Sequence, residues 1–198
     1  VLKLKENVVI GIDLAGKETN PTGLAILRRK KVETCLVYTN SEILDVLTRA
    51  KPTIVAIDAP LTLPERAIFR KADRDLIKRG YRVFPPGLPA MKTLTLRASN
   101  LNKLIIEKGL KTIEVHPTST RKALNMPAKD WEAIQKILRS LGLERIPEDR
   151  KLTPHEIDAI TAALTAHLYL LNLTEAVGDN KEGFIIIPKK ANWWEIKI

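Results

Sequence analysis

Cysteine is nearly absent from this chain: Cys35 stands alone, which excludes an internal disulfide and a multi-cysteine zinc site. A lone thiol suits a reducing compartment, and the expected location is cytoplasmic. The first residues, Val1-Leu2-Lys3-Leu4-Lys5, lack the long apolar stretch and small-residue cleavage site of a signal peptide and run directly into a strand pattern. The most apolar long segment, 157–173, contains Asp158 and His167, so it reads as a core helix rather than a membrane span. Internal repeats are missing too, and one domain spanning residues 1–198 is expected.

What is present is a globular composition, 44% hydrophobic and 28% charged, which neither a disordered chain nor a membrane protein shows. Lys and Arg outnumber Asp and Glu by 33 to 23, which favours anionic partners such as nucleic acid or phosphorylated metabolites. The same lysines, beside the single glutamine Gln135, equally suit a heat-adapted surface that needs no ligand.

Apolar runs of strand length cover 8–12, 23–27, 32–38, 53–57 and 111–116, with a short late run at 184–187. The second and third are separated by the basic tip Arg28-Arg29-Lys30-Lys31 and read as a hairpin. Helical spacing covers 41–49 behind Ser41 as its cap, then 65–79, 91–108 and 130–140. The proline-rich loop Phe84-Pro85-Pro86-Gly87-Leu88-Pro89 separates the second helix from the third, and Pro117 stops the fifth strand. A last helix opens with Thr153-Pro154-His155-Glu156, a capping box with proline at its first position, and runs to about Asn172. The expected fold is α/β, a mixed five-stranded sheet with strands one, four and five parallel and helices on both faces.

Three strands carry a carboxylate at or near the carboxyl end: Asp13, Asp58 and Glu114. Open α/β sheets bind ligands outside those ends, so parallel neighbours would bring the acids together. Clustered carboxylates raise one another's pKa unless a cation neutralises them, and hard ions such as Mg2+ or Mn2+ accept oxygen donors while keeping water positions for a substrate phosphate. Asp158 on the last helix adjoins its apolar stripe and shares a face with Ala162 and Thr165, which makes it a fourth candidate. Each acid also has an ordinary reading: a strand-end Asp caps the following turn, a strand Glu faces solvent, and Asp158 complements the helix dipole.

These motifs resemble the predicted nucleases of the domain of unknown function 429 family, within the ribonuclease H-like superfamily. The resemblance covers nearly the whole chain and rests on five pieces. They are Gly11-Ile12-Asp13-Leu14-Ala15 with Gly23; Ile57-Asp58-Ala59-Pro60-Leu61 with Leu63-Pro64; Arg70 with Asp73 and Gly80; Ile113-Glu114-Val115-His116-Pro117; and Asp158-Ala159 with Ala162-Ala163. The segment His155-Glu156-Ile157-Asp158-Ala159 also looks like the final catalytic helix of Holliday-junction resolvases. The resemblance implies a ribonuclease H-like fold and metal ligands at Asp13, Asp58 and Asp158, with Glu114 the least secure. It further implies two-metal hydrolysis of phosphodiester bonds in DNA or RNA.

His116 shares a strand face with Glu114 and either orients water or phosphate, or is a buried, hydrogen-bonded histidine. Arg66, Arg70 and Arg74, with Lys71, Lys78 and Arg79, either clamp a phosphate backbone or solvate a helix. Asp73 either pairs with a neighbouring Arg or enters the site. Trp193 and Trp194 either stack bases or close a core edge. Two other functions are compatible with the residues: a non-catalytic nucleic-acid-binding module of the same fold, and a nucleotide phosphotransferase. The opening Gly-Ile-Asp-Leu-Ala-Gly looks like the first phosphate loop of sugar kinases, but Gly16-Lys17-Glu18-Thr19 lacks P-loop spacing.

Overall fold

Val8–Asp13 forms β1, an almost entirely buried strand whose unbroken apolar run suits the middle of a sheet. It is part of a computed structural model that describes residues 7–198, so the five residues expected to run into this strand lie outside the described residues. The chain turns back through β2 (Thr22–Arg28) and β3 (Lys31–Val37), antiparallel to β1 in succession. Helix α1 (Asn40–Ala50) follows, then β4 (Ile54–Asp58), parallel to β1. A long loop leads into α2 (Lys71–Lys78), α3 (Pro89–Glu107) and β5 (Thr112–Val115), parallel to β4. After α4 (Pro117–Ala123), α5 (Trp131–Ser140) and α6 (Pro154–Leu170), a hairpin of β6 (Thr174–Asp179) and β7 (Gly183–Pro188) completes a seven-stranded sheet ordered β3-β2-β1-β4-β5-β7-β6.

The count of five strands is thus corrected to seven. The late run at 184–187 belongs to β7, which pairs parallel to β5, and its partner β6 had no strong apolar alternation to announce it. Two helix starts also move, and one helix, α4, was not expected. Thr39, not Ser41, caps α1, because its hydroxyl accepts the Glu42 N–H while Glu42 accepts the Thr39 N–H. The helix expected over 65–79 begins only at Lys71, since Glu182 accepts the backbone N–H groups of Glu65 and Lys71 and holds the intervening loop open. Pro117 does end β5, but it also occupies the first turn of α4, where its missing N–H costs nothing.

Two cores sandwich the sheet. Val9, Ala25, Ile54, Ala56, Ile113 and Val115 meet α5 and α6 on one face; Ile10, Ile12, Leu24, Val55 and Ile57 meet α1 and α3 on the other. Helix α6 is buried nearly all round, and its Ile157, Ile160, Leu164 and Leu168 each contribute roughly 1.5–3 kcal/mol by leaving water. Its close approach depends on two glycines: a Cβ on Gly11 would fall 2.1 Å from the Ala159 carbonyl oxygen, and one on Gly23 2.1 Å from that of His155. Any side chain there would push the first turns of α6 away from the ends of β1 and β2. No helix among the described residues is long and apolar enough to cross a membrane.

Candidate active site at the strand ends

Parallel pairing sets Asp13 directly opposite Asp58, the last residues of β1 and β4. Neighbouring strands lie about 4.8 Å apart, and both side chains share the sheet face that α6 covers, because they continue the alternation of Val9 and Gly11 and of Ile54 and Ala56. Burial pushes the Asp13 carboxyl up to about 6, against the pull of its hydrogen bond to His155, and the Asp158 charge raises it further. Asp58 is pushed well above the usual carboxylate range, first by burial, then by the charges of Asp13 and Asp158.

The first turns of α6 bring two more groups to this face. His155 Nδ1 lies 2.6 Å from Asp13 Oδ2, and Asp158, one turn on, is paired with Arg121 of α4. Arg121 is fully buried: its Nε donates to the Ala128 carbonyl at 3.1 Å, and its guanidinium sits 5.3 Å from the Trp131 ring centroid. That is an anchored cation, and it turns Asp158 toward itself. Asp58 alone of these acids accepts no hydrogen bond from any described residue.

Glu114 borders the same cleft at the strand ends but is paired differently. Its register partner is Ile57, so it points to the face opposite Asp58. There Arg70 donates to both its oxygens, at 2.6 and 2.8 Å, and the Leu61 N–H donates at 2.9 Å. Arg70 is only 1% exposed and spends all five N–H donors on Glu114, Asp73 and Thr62. Burial raises the Glu114 pKa and the Arg70 guanidinium pulls it back. This block ties the loop after Asp58 to β5 and α2.

The residues expected to contact substrate therefore separate. Arg70 is buried in the ion-pair block and has no donor left for a phosphate, and Asp73 is its partner. Arg66 is exposed on the loop before α2. Arg74 is half-exposed, donating to the Phe69 carbonyl at 2.6 Å with Glu182 at 3.9 Å. His116 is the half-buried cap residue of α4, its Nδ1 2.7 Å from Ser119 Oγ. Burial, then the Arg121 charge, lowers its pKa to about 4, so it is neutral at pH 7. Trp193 packs against the core, while Trp194 is exposed. The sequence reading missed His155 and Arg121 as members of the site. The signal for His155 was there, since it precedes Asp158 by three residues and shares its helix face; nothing local marked Arg121.

Among the described residues no group of three or more His, Cys, Asp or Glu side chains stands ready to hold a metal ion. The cause lies in the pairings above: Arg121 holds Asp158 and Arg70 holds Glu114. Asp13 and Asp58 remain as two carboxylates, hard oxygen donors of the kind that hold Mg2+ together with water and substrate phosphate. They line a cleft of about 290 Å³ at the strand ends together with Leu14, Pro60, Phe84, Met91 and Leu94, and the Arg70–Asp73–Glu114 block and His116 reach the same cleft.

The fold is similar to that of solved RuvC structures. The structure described as T. thermophilus RuvC in complex with Holliday junction substrate matches with a TM-score of 0.53 and 20% identity, over 84% of this chain and 96% of that one. Thermus thermophilus RuvC alone matches with a TM-score of 0.51 and 18% identity, over 83% and 96%. The fold is thus RuvC-like, that is, ribonuclease H-like. Comparison with curated proteins finds no match. The family model described as Protein of unknown function (DUF429) matches residues 11–182, from the middle of β1 to the turn that anchors the Asp58 loop, and the chain belongs to that family.

Proposed function

We propose that this protein is a metal-dependent nuclease that hydrolyses phosphodiester bonds of nucleic acid at the carboxyl ends of β1 and β4. The observation that carries the reading is Asp58, an acid set in register with Asp13, which feels the Arg121 charge but has neither an ion-pair partner nor a hydrogen-bond donor among the described residues. Burial and the Asp13 charge push the Asp58 carboxyl well up, and a divalent ion removes that penalty. The RuvC-like fold supports the same reading, as does the excess of basic residues.

Asp13 and Asp58 would hold Mg2+ or Mn2+, which supplies an activated water and stabilises the leaving oxygen. His155 orients the Asp13 carboxylate. Asp158 joins the ligand set only on leaving Arg121, so the donors seen suffice for one ion and a second depends on that release. Glu114, with Arg70 and Asp73, holds the Asp58 loop in place as a positioning residue. Arg66 and Arg74 are the remaining candidates for phosphate contact. A non-catalytic binding module of this fold would have no use for a half-buried acid pair in which Asp58 lacks an ion-pair partner.

Cleavage of labelled single-stranded, duplex and branched DNA and RNA with Mg2+ or Mn2+ tests the reading. The wild type should cut at least one substrate, a chelator should abolish cutting, and Asp58→Asn should reduce it by about 100-fold or more, as loss of a group stabilising the transition state does. Metal-independent cutting, or an equally active Asp58→Asn, would overturn it.

A further inference from the structure

The cleft has two unlike walls. Asp13 and Asp58 form the polar one, with the mutually paired Arg70, Asp73 and Glu114 and with His116; Val83, Phe84, Met91 and Leu94, from the loop before α3 and its first turns, form the apolar one. Phe84 is 74% exposed, the most exposed of the large apolar residues described. It is not on a loose tip. Pro85 and Pro86 fix the backbone that follows, and the Gly87 N–H donates to the Ile68 carbonyl at 3.0 Å. A Cβ on Gly87 would lie 2.7 Å from Ile68 Cα, so the two loops meet backbone to backbone. The fold thus holds an aromatic ring in water beside the cleft, where the ring contributes nothing to the core.

Exposed cations lie on the same segments. Arg66 lies on the loop that Gly87 touches, Arg82 two residues before Phe84, and Lys92 in the first turns of α3 beside Met91. None of the three makes an ion pair among the described residues. An apolar wall, an acidic edge and a cationic rim complement the parts of one nucleotide: a flat base, a scissile phosphodiester and the flanking backbone charge. The volume of about 290 Å³ sits at the bottom of the range for ligand pockets, about 300–1,000 Å³, and admits one base rather than a stacked pair.

We infer that the cleft seats a single unpaired nucleotide, its base against Phe84 and Met91 and the adjoining phosphates toward Arg66, Arg82 and Lys92. The substrate is then single-stranded or locally unpaired nucleic acid. A base within a duplex is stacked on both faces and cannot reach the ring, whereas an unpaired one stacks on an aromatic side chain whatever its identity. Met91, flexible and polarizable, adapts to purine or pyrimidine alike. As a statement about substrate this rests on the nuclease reading; as a binding site it stands apart from hydrolysis.

Fluorescence anisotropy in a chelating buffer separates the two. Labelled eight-nucleotide DNA and RNA strands and the matching duplexes are titrated with wild type, Phe84→Ala and Phe84→Tyr. At least one single strand should bind more tightly than its duplex. Phe84→Ala should weaken that binding by about tenfold and leave duplex binding unchanged, as loss of one base–aromatic stack does, while Phe84→Tyr retains it. Duplexes bound as tightly as either strand, or a Phe84→Ala variant indistinguishable from wild type, would overturn the inference. If the wild type cuts nothing yet Phe84→Ala still loses single-strand binding, the base site stands and the nuclease reading falls.

Discussion

Asp58 and Glu114 end neighbouring parallel strands, and the protein treats them in opposite ways. Glu114 is given Arg70, with two charge-assisted hydrogen bonds and a backbone donor besides. Asp58, one residue past the partner of Glu114, falls on the other face, where it meets Asp13 and the fields of Asp158 and Arg121 but no hydrogen-bond donor among the described residues. The difference comes from the period of two along a strand, which sends consecutive register positions to opposite faces. It teaches that an acid at a strand end is informative only together with its counter-charge. One with a buried arginine is part of the framework, and one without is open to a ligand.

The largest effect should come from breaking the satisfied side. Arg70→Met leaves Glu114 and Asp73 buried without a cation, and urea unfolding should show a loss of about 3–5 kcal/mol, as removal of one partner of a buried pair does. Asp58→Asn, which removes an uncompensated charge, should cost nothing in the same measurement and should stabilise the metal-free protein near neutral pH. A destabilised Asp58→Asn beside an unaffected Arg70→Met would reverse the assignment of the two sides.

A smaller effect should appear as pH dependence without metal. The folded Asp13 carboxyl titrates at about 6, above its ordinary 3.8, and Asp58 is shifted the same way. Between those values the folded chain keeps protons that the unfolded chain has lost. Stability from this pair is therefore fully present below the unfolded pKa and is lost as pH rises through the folded one. For Asp13 the shift corresponds to about 3 kcal/mol. Urea unfolding with chelator between pH 4 and about 7 should show this decline in the wild type and a shallower one in Asp13→Asn.

Much of this framework was legible in the sequence. β1 and β4 announce themselves as apolar runs ending on Asp13 and Asp58, and the parallel crossover places those ends side by side. The capping box at Thr153 located the start of α6, and with it Asp158. Glu114 was harder, because a four-residue strand gives its side-chain face only through register with a neighbour, and register is a tertiary property. Arg70 read as a helix cation for a similar reason: its burial follows from the loop that Glu182 holds, on a hairpin more than a hundred residues later. Arg121 lies in a helix hidden behind Pro117, and its partner Asp158 is far off in the chain. Motifs set by local chain geometry were visible, whereas the pairing of charges across distant segments was not.

Calorimetric titration of metal-free protein with Mn2+ tests most directly whether the uncompensated acids are the ligand side. Wild type and Glu114→Gln, each checked for folding by circular dichroism, should bind the ion, and Asp58→Asn should lose that binding while remaining folded. Unchanged binding in Asp58→Asn, or loss in a folded Glu114→Gln alone, would contradict the account.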